Sequence, residues 1–177
     1  EVRRTCHMEA EFEGYTVPPE LVEREKTLSE KGFSFTPAVH ADAREFESFL
    51  ERSNLDRKPR RLEKFSVEPE RFYLARHDGR IVGFIHVSSK DEQQRSGINL
   101  IYFLREYRGA GLGSVLLVKA HELWKNMGAK GGAIWTYPEA AARFYPRAGF
   151  KTVQEWICYA KDLSHSWSDP EFVKRWR

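Results

Sequence analysis

Apolar and polar residues alternate over 33–39, where Phe33, Phe35 and Val39 mark one side of a strand. Over 42–53 the spacing lengthens, and Phe46, Phe49 and Leu50 fall on one helix face behind Asp42, a capping residue. Period two returns in the runs 71–76 and 80–89, which flank His77-Asp78-Gly79, and the Asp-Gly pair accepts the positive φ angles of a tight hairpin turn. A third run, Ile98 to Leu104, follows the polar loop Asp91 to Gly97, so the three predict an antiparallel meander. Leu112, Leu116, Ala120, Leu123 and Met127 then recur at three- and four-residue intervals, a helix with one apolar stripe that ends at Gly128. The strand Gly131 to Tyr137 reaches the sheet through this helical crossover and is expected parallel to 98–104. An Ala-rich helix over 139–147 ends near Gly149, and a last strand, Lys151 to Asp162, closes the sheet. The order β-α-(α)-β-β-β-α-β-α-β predicts an α/β fold, a mixed, mostly antiparallel sheet with helices on both faces.

Of the 177 residues 41 % are hydrophobic and 14 % aromatic, which supports one core and excludes a disordered chain. A net charge of +3, with no recognisable nucleic-acid module, argues against a nucleic-acid partner. The charge is uneven: within 52–64, Arg52, Arg57, Lys58, Arg60, Arg61 and Lys64 stand against Asp56 and Glu63, six cations less two acids, or +4. That segment contains Pro59 and reads as a loop or a short polar helix. Cys6 and Cys158 form no CxxC, and the six histidines show no HxxxH pair, so neither a disulfide framework nor a metal site is expected. No apolar run approaches the ~20 residues that span a bilayer, and the N-terminus lacks the apolar stretch of a secretory signal. A cytoplasmic chain without a membrane partner is the expectation.

The most informative stretch is Leu104-Arg105-Glu106-Tyr107-Arg108-Gly109-Ala110-Gly111-Leu112-Gly113-Ser114, where a strand enters a helix through glycines at alternate positions. Helix-start amides have no intrahelical partners, glycines let a ligand approach them, and the helix N-terminus is partly positive. Together they make an anion cradle, with Arg108 beside it. The spacing of Gly109, Gly111 and Gly113 is not the G-x-G-x-x-G of a dinucleotide site, and no Lys precedes Ser114 as a phosphate-binding G-x-x-x-x-G-K-[ST] loop requires. A turn serving only tight helix–sheet packing is the other reading.

Tyr107-Arg108-Gly109-Ala110-Gly111-Leu112-Gly113 resembles the R-x-x-G-x-G/A acetyl-coenzyme A motif of the GNAT superfamily of N-acetyltransferases. Downstream, Ala141-Ala142-Arg143-Phe144-Tyr145-Pro146-Arg147-Ala148-Gly149-Phe150 resembles the family's A-x-x-[LF]-Y-x-x-x-G-F segment, and the likeness covers residues 33–163. It implies acetyl-CoA as cosubstrate, with its pyrophosphate on the amides of Arg108, Gly109, Ala110, Gly111, Leu112, Gly113 and Ser114. Its pantetheine arm would lie between two splayed strands against the backbone of Phe103 and Leu104. It implies Tyr145 as the acid that protonates the departing thiolate, although a buried packing role is the alternative for a lone aromatic. Pro138 stands where the family often has Asn, and Pro146 shortens the helix after Tyr145.

The strand Ile98 to Leu104 carries no carboxylate, so the general base stays open among His86, Glu92 and a water chain. The expected function is transfer of acetyl to a primary amine by direct attack, and the alternative is a non-catalytic acyl-CoA-binding domain. The resemblance places 52–64 near the acceptor, a small-molecule or peptide amine, which suggests an acidic acceptor; a solvated basic face is the competing reading. Trp135 and Tyr137 end their strand as pocket residues or, for Trp135, as core.

Residues 1–32 precede the resemblance. At an offset of 151, Val2 meets Val153, Pro19-Glu20 meets Pro170-Glu171 and Arg24 meets Arg175, which suggests that 1–16 is the end of a preceding similar domain and 17–32 a linking helix. The expected organisation is an extension over 1–32, an acetyltransferase-like domain over 33–163 and a tail over 164–177, as the C-terminal part of a longer, tandem protein. A homodimer or contact with the upstream domain accompanies that expectation.

Overall fold

The computed structural model describes residues 2–138 and 143–159, with side chains described for 4–138 and 143–157. The expected tail 164–177 and the first part of the Ala-rich segment, 139–142, lie outside the described residues. Among the described residues eight strands and four α-helices follow one another: β1 (Val2–Glu11), α1 (Pro19–Glu30), β2 (Phe33–Pro37), α2 (Ala43–Arg52), α3 (Lys58–Val67), β3 (Phe72–His77), β4 (Arg80–Val87), β5 (Arg95–Ser96), β6 (Ile98–Phe103), α4 (Leu112–Asn126), β7 (Gly131–Thr136) and β8 (Lys151–Tyr159). The basic segment 52–64 runs from the end of α2 through a loop over 53–57 into helix α3. Among the described residues no helix is long and apolar enough to cross a membrane.

The strands form two four-stranded sheets, β2-β3-β4-β6 and β5-β7-β1-β8. In the first, the β3–β4 hairpin turns through Asp78 at φ 48° and Gly79 at φ 80°, the positive pair expected there. Strand β4 is covered on both sides, which explains its nearly unbroken apolar run. Its Val82, Ile85 and Val87 pack with Leu116, Leu117, Ala120 and Trp124 of α4. Its Ile81 and Phe84 face Phe46, Phe49 and Phe65 of α2 and α3 on the other side. Helices thus cover both faces, as the sequence pattern predicts.

The second sheet corrects two expectations. Strand β1 lies between β7 and β8, antiparallel to both, with Met8 opposite Ile134 on one side and Thr152 on the other. Its Cys6, Met8 and Ala10 are buried in the same core as α4 and β4. Residues 2–11 are therefore an integral strand of this domain, and the expected boundary at 32/33 is absent; α1 likewise packs Leu28 against Leu112 and Val115 of α4. The final strand, β8, closes this sheet at its edge by pairing with β1.

The parallel pairing predicted for β7 is confined to Arg95 and Ser96, opposite Gly131 and Gly132. At Gly97 the chain leaves β7, and a Cβ there would stand 2.3 Å from the Ala133 carbonyl oxygen, so only glycine fits the divergence. Strand β6 then pairs with β4 alone, and among the described residues no ladder joins β6 to β7. A gap opens between two strands that start side by side.

Candidate active site

Strand β6 ends where the Leu104 amide donates to the Val82 carbonyl at 3.0 Å, and one 3-10 turn (Arg105–Tyr107) carries the chain into the glycines. Gly109 and Gly111 take φ of 81° and 86°, which other residues adopt only at a cost, and α4 begins immediately afterwards. The amides of Gly109, Ala110, Gly111 and Leu112 donate to no backbone carbonyl among the described residues. The first turn of α4 has no acidic side chain and no side-chain cap. Unpaired donors, a helix N-terminus and open access coincide, which is the chemistry of an anion cradle.

Three guanidinium groups stand around this cradle, of which sequence reasoning named one. Arg108 folds back, its Nε donating to the Phe103 carbonyl at 3.0 Å and its guanidinium 5.2 Å from the centre of the Tyr102 ring. Arg147 donates from Nη1 to the buried Ser114 Oγ at 2.9 Å. Arg24 of α1 lies over Gly111, where an added Cβ would meet its Cδ at 3.0 Å and its Nη1 at 3.4 Å. Arg147 sat inside the motif segment already singled out. Arg24 had no local signal, because its approach depends on α1 docking against α4. Gly113 leaves room for the Phe144 and Phe103 rings, at 3.3 and 3.7 Å from a would-be Cβ.

Tyr145 lies on a 3-10 turn (Tyr145–Ala148), not on an α-helix, with Pro146 as the second residue of that turn. Its hydroxyl hydrogen-bonds Thr136 at the end of β7, and burial raises the phenol above its ordinary pKa against the lowering effect of that bond. The group is therefore held protonated at neutral pH. Ser96 pairs with Gly132, after which the strands diverge, so Tyr145 stands at the end of β7, on the other side of the gap from β6.

Asn99 is the extra residue of a β-bulge: His86 opposes Leu100 and Val87 opposes Ile98, leaving Asn99 without a ladder partner. It borders a cavity of about 240 Å3, one side of which is Arg57, Arg60, Arg61 and Lys64. The opposite side includes Phe72 and His86. The His86 ring stacks on Phe72 with centroids 4.1 Å apart, and its Nε2 is buried with no hydrogen-bond partner among the described residues; Glu68 Oε1 is 3.6 Å away. Burial pushes His86 down to about 4, Glu68 opposing the shift and Arg71 and Lys64 adding to it. Glu92 is exposed in the loop before β5, and Trp135 and Tyr137 are 61 % and 67 % exposed, away from that cavity. Trp135 stacks on His7 at 4.6 Å, on the outer face of the second sheet rather than in the core.

The family model described as acetyltransferase (GNAT) domain matches residues 68–152, which include the gap, the glycine turn and Tyr145. An uncharacterized N-acetyltransferase of Mycobacterium bovis is 32 % identical over 96 residues, covering 51 % of this chain and 60 % of that protein. The chain thus spans about three fifths of that relative's length. A GCN5-related N-acetyltransferase from Sphaerobacter thermophilus superposes with a TM-score of 0.62 at 21 % identity, over 93 % of this chain and 55 % of that one. The glucosamine N-acetyltransferase region of a fungal multi-domain GH3 beta-N-acetylglucosaminidase gives 0.68 at 19 % identity, over 88 % and 20 %. Both share the fold. Residues 68–152 of this chain, which hold its glycine turn and splayed strands, thus match the GNAT acetyltransferase domain, and the fold agrees.

Proposed function

We propose that the protein transfers acetyl from acetyl-CoA to a primary amine. The observation that carries this reading is the glycine turn, four unpaired amides at the start of α4 ringed by Arg24, Arg108 and Arg147. Such a ring suits a pyrophosphate, with the amides of Arg108 to Ser114 as its seat. The edge of β6 that faces the gap suits an extended arm laid beside Phe103 and Leu104 as an added strand. Acetyl-CoA, when bound, supplies the acetyl group as a thioester.

The chain's own groups then divide the work. The amine nitrogen bonds to the acyl carbon as the carbon–sulfur bond breaks, the sulfur takes a proton and the nitrogen loses one. Tyr145, held protonated at the end of β7, is the donor to sulfur. Its raised pKa makes it a poor acid in solution, so its value is placement. His86, depressed to about 4, is neutral at pH 7; its unpaired Nε2 can accept a hydrogen bond from an amine while being too weak a base to strip an ammonium alone. The cations beside it favour the neutral amine, which lowers the demand on any base.

Free thiol is followed while the protein is incubated with acetyl-CoA and a panel of amines, glucosamine among them because the fungal neighbour is named for it. Thiol release that depends on an amine is the expected result. Binding of coenzyme A without release for any amine would overturn the transfer reading and leave an acyl-CoA-binding domain.

A further inference from the structure

We infer that the acceptor amine also carries an anionic group, a phosphate or a carboxylate, received by Arg57, Arg60, Arg61 and Lys64 while the amine lies toward His86 and Asn99. The inference rests on the acetyl-transfer reading and adds the class of acceptor to it.

Positions 60, 61 and 64 are spaced by three and four on α3, so their cations share one face, and with Arg57 just before the helix they form the cavity wall. Their charge is largely uncompensated. Among the described residues Arg57 and Arg60 make no ion pair with any carboxylate, and the Arg61 Nε donates to the Asp56 backbone carbonyl at 2.8 Å. Lys64 reaches only Glu68, at 3.5 Å, and Glu68 is already engaged by Arg71 at 3.0 Å. Like charges on adjacent turns repel, so this arrangement disfavours its own helix unless an anion joins it.

A second observation points the same way from the other side of the cavity. The His86 ring is fixed flat on Phe72, and its buried Nε2, 3.6 Å from Glu68 Oε1, has no hydrogen-bond partner among the described residues, a state that buried polar atoms seldom keep without a ligand or water. The cavity also reaches the strand that borders the gap: Asn99, the bulged residue of β6, is part of its lining. A volume of about 240 Å3 suits a small molecule with an anion at one end and an amine at the other.

The test compares amines that differ only in the anion: glucosamine against glucosamine 6-phosphate, and an amino acid against its amide, each with acetyl-CoA and thiol release as readout. The anionic member of at least one pair should show kcat/KM about ten- to a hundredfold higher. Which pair responds distinguishes phosphate from carboxylate. In R60S/R61S that ratio should fall to about one, whereas R60K/R61K should keep part of it. Equal kcat/KM within both pairs for the wild-type protein overturns the inference while leaving acetyl transfer intact. If no amine releases thiol, the transfer reading fails and the site is judged alone: with coenzyme A saturating the glycine turn, inorganic phosphate should raise the Tm of the wild-type protein but not of R60S/R61S. No shift in the wild-type protein overturns the anion site as well.

Discussion

Replacing Met8 by Ala measures whether β1 belongs to this domain. Met8 is 1 % exposed and lies mid-strand between Ile134 and Thr152, in the core shared with α4 and β4. Truncation removes its buried methylenes and sulfur and leaves a hole that the flanking ladders prevent from collapsing, so the cost falls in the range of about 2–5 kcal/mol for large-to-Ala changes in a core. For a chain of this size each kcal/mol lowers Tm by about 2–4 °C, which gives a fall of roughly 4–20 °C. Urea unfolding followed by circular dichroism should show a lower midpoint with an unchanged slope, since the surface exposed on unfolding stays the same. The control is Glu11→Gln on the same strand: Glu11 is 71 % exposed by side chain and pairs loosely with Arg95 at 3.4 Å, so its loss should stay within about 0.5 kcal/mol. If Met8→Ala also stays within about 0.5 kcal/mol, β1 is not part of the cooperative unit and the fold as described is wrong.

Further expectations concern the site and the buried rings. Tyr145→Phe keeps the ring packing and removes only the hydroxyl, so coenzyme A binding should persist while kcat drops about a hundredfold; a change under twofold excludes Tyr145 as the proton donor. Gly111→Ala forces a side chain into φ 86° and to within 3.0 Å of Arg24, costing about 1–2 kcal/mol for the backbone; calorimetry should find coenzyme A binding weakened at least tenfold, and unchanged affinity would detach the turn from the cofactor. His86 and His121 are both lowered by burial to about 4, His121 holding the Ala148 carbonyl at 3.0 Å. The unfolded chain then binds more protons than the folded one between about pH 6.5 and 4, so stability is unaffected above that window. Within it, stability falls by about 1.4 kcal/mol per pH unit for each ring. His121→Gln should flatten the pH dependence of the urea midpoint, and an unchanged dependence would refute the shift at that ring.

Most of the fold was legible because its signals are local. Period-two runs and Asp78-Gly79 place the first sheet, and the apolar stripe from Leu112 places α4. The glycine turn was legible too, since positive φ and unpaired amides follow from glycine spacing itself. The placement of β1 was not. Cys6, Met8 and Ala10 alternate well enough to mark a strand, but its partners lie more than a hundred residues away and nothing in the alternation names them. The offset match to the C-terminus therefore suggested a foreign strand where the structure has an integral one. Arg24 was illegible for the same reason. The cavity wall could have been found, because the spacing of Arg60, Arg61 and Lys64 is helical; Pro59 obscured it, although Pro is well tolerated in the first turn of a helix.

The central position of β1 also bears on how the chain is made. Residues 2–11 are synthesised more than a hundred residues before both neighbours that satisfy their backbone, 131–136 and 151–159. The first sheet and α4 can assemble before residues 131–159 are made, whereas the second sheet must wait for them before its middle strand is clamped. Pairing over such a separation is entropically slow. Until it is complete, a strand bearing Cys6 and Met8 presents two open edges, which makes this segment the natural client for a holding chaperone and the first place to look for misassembly.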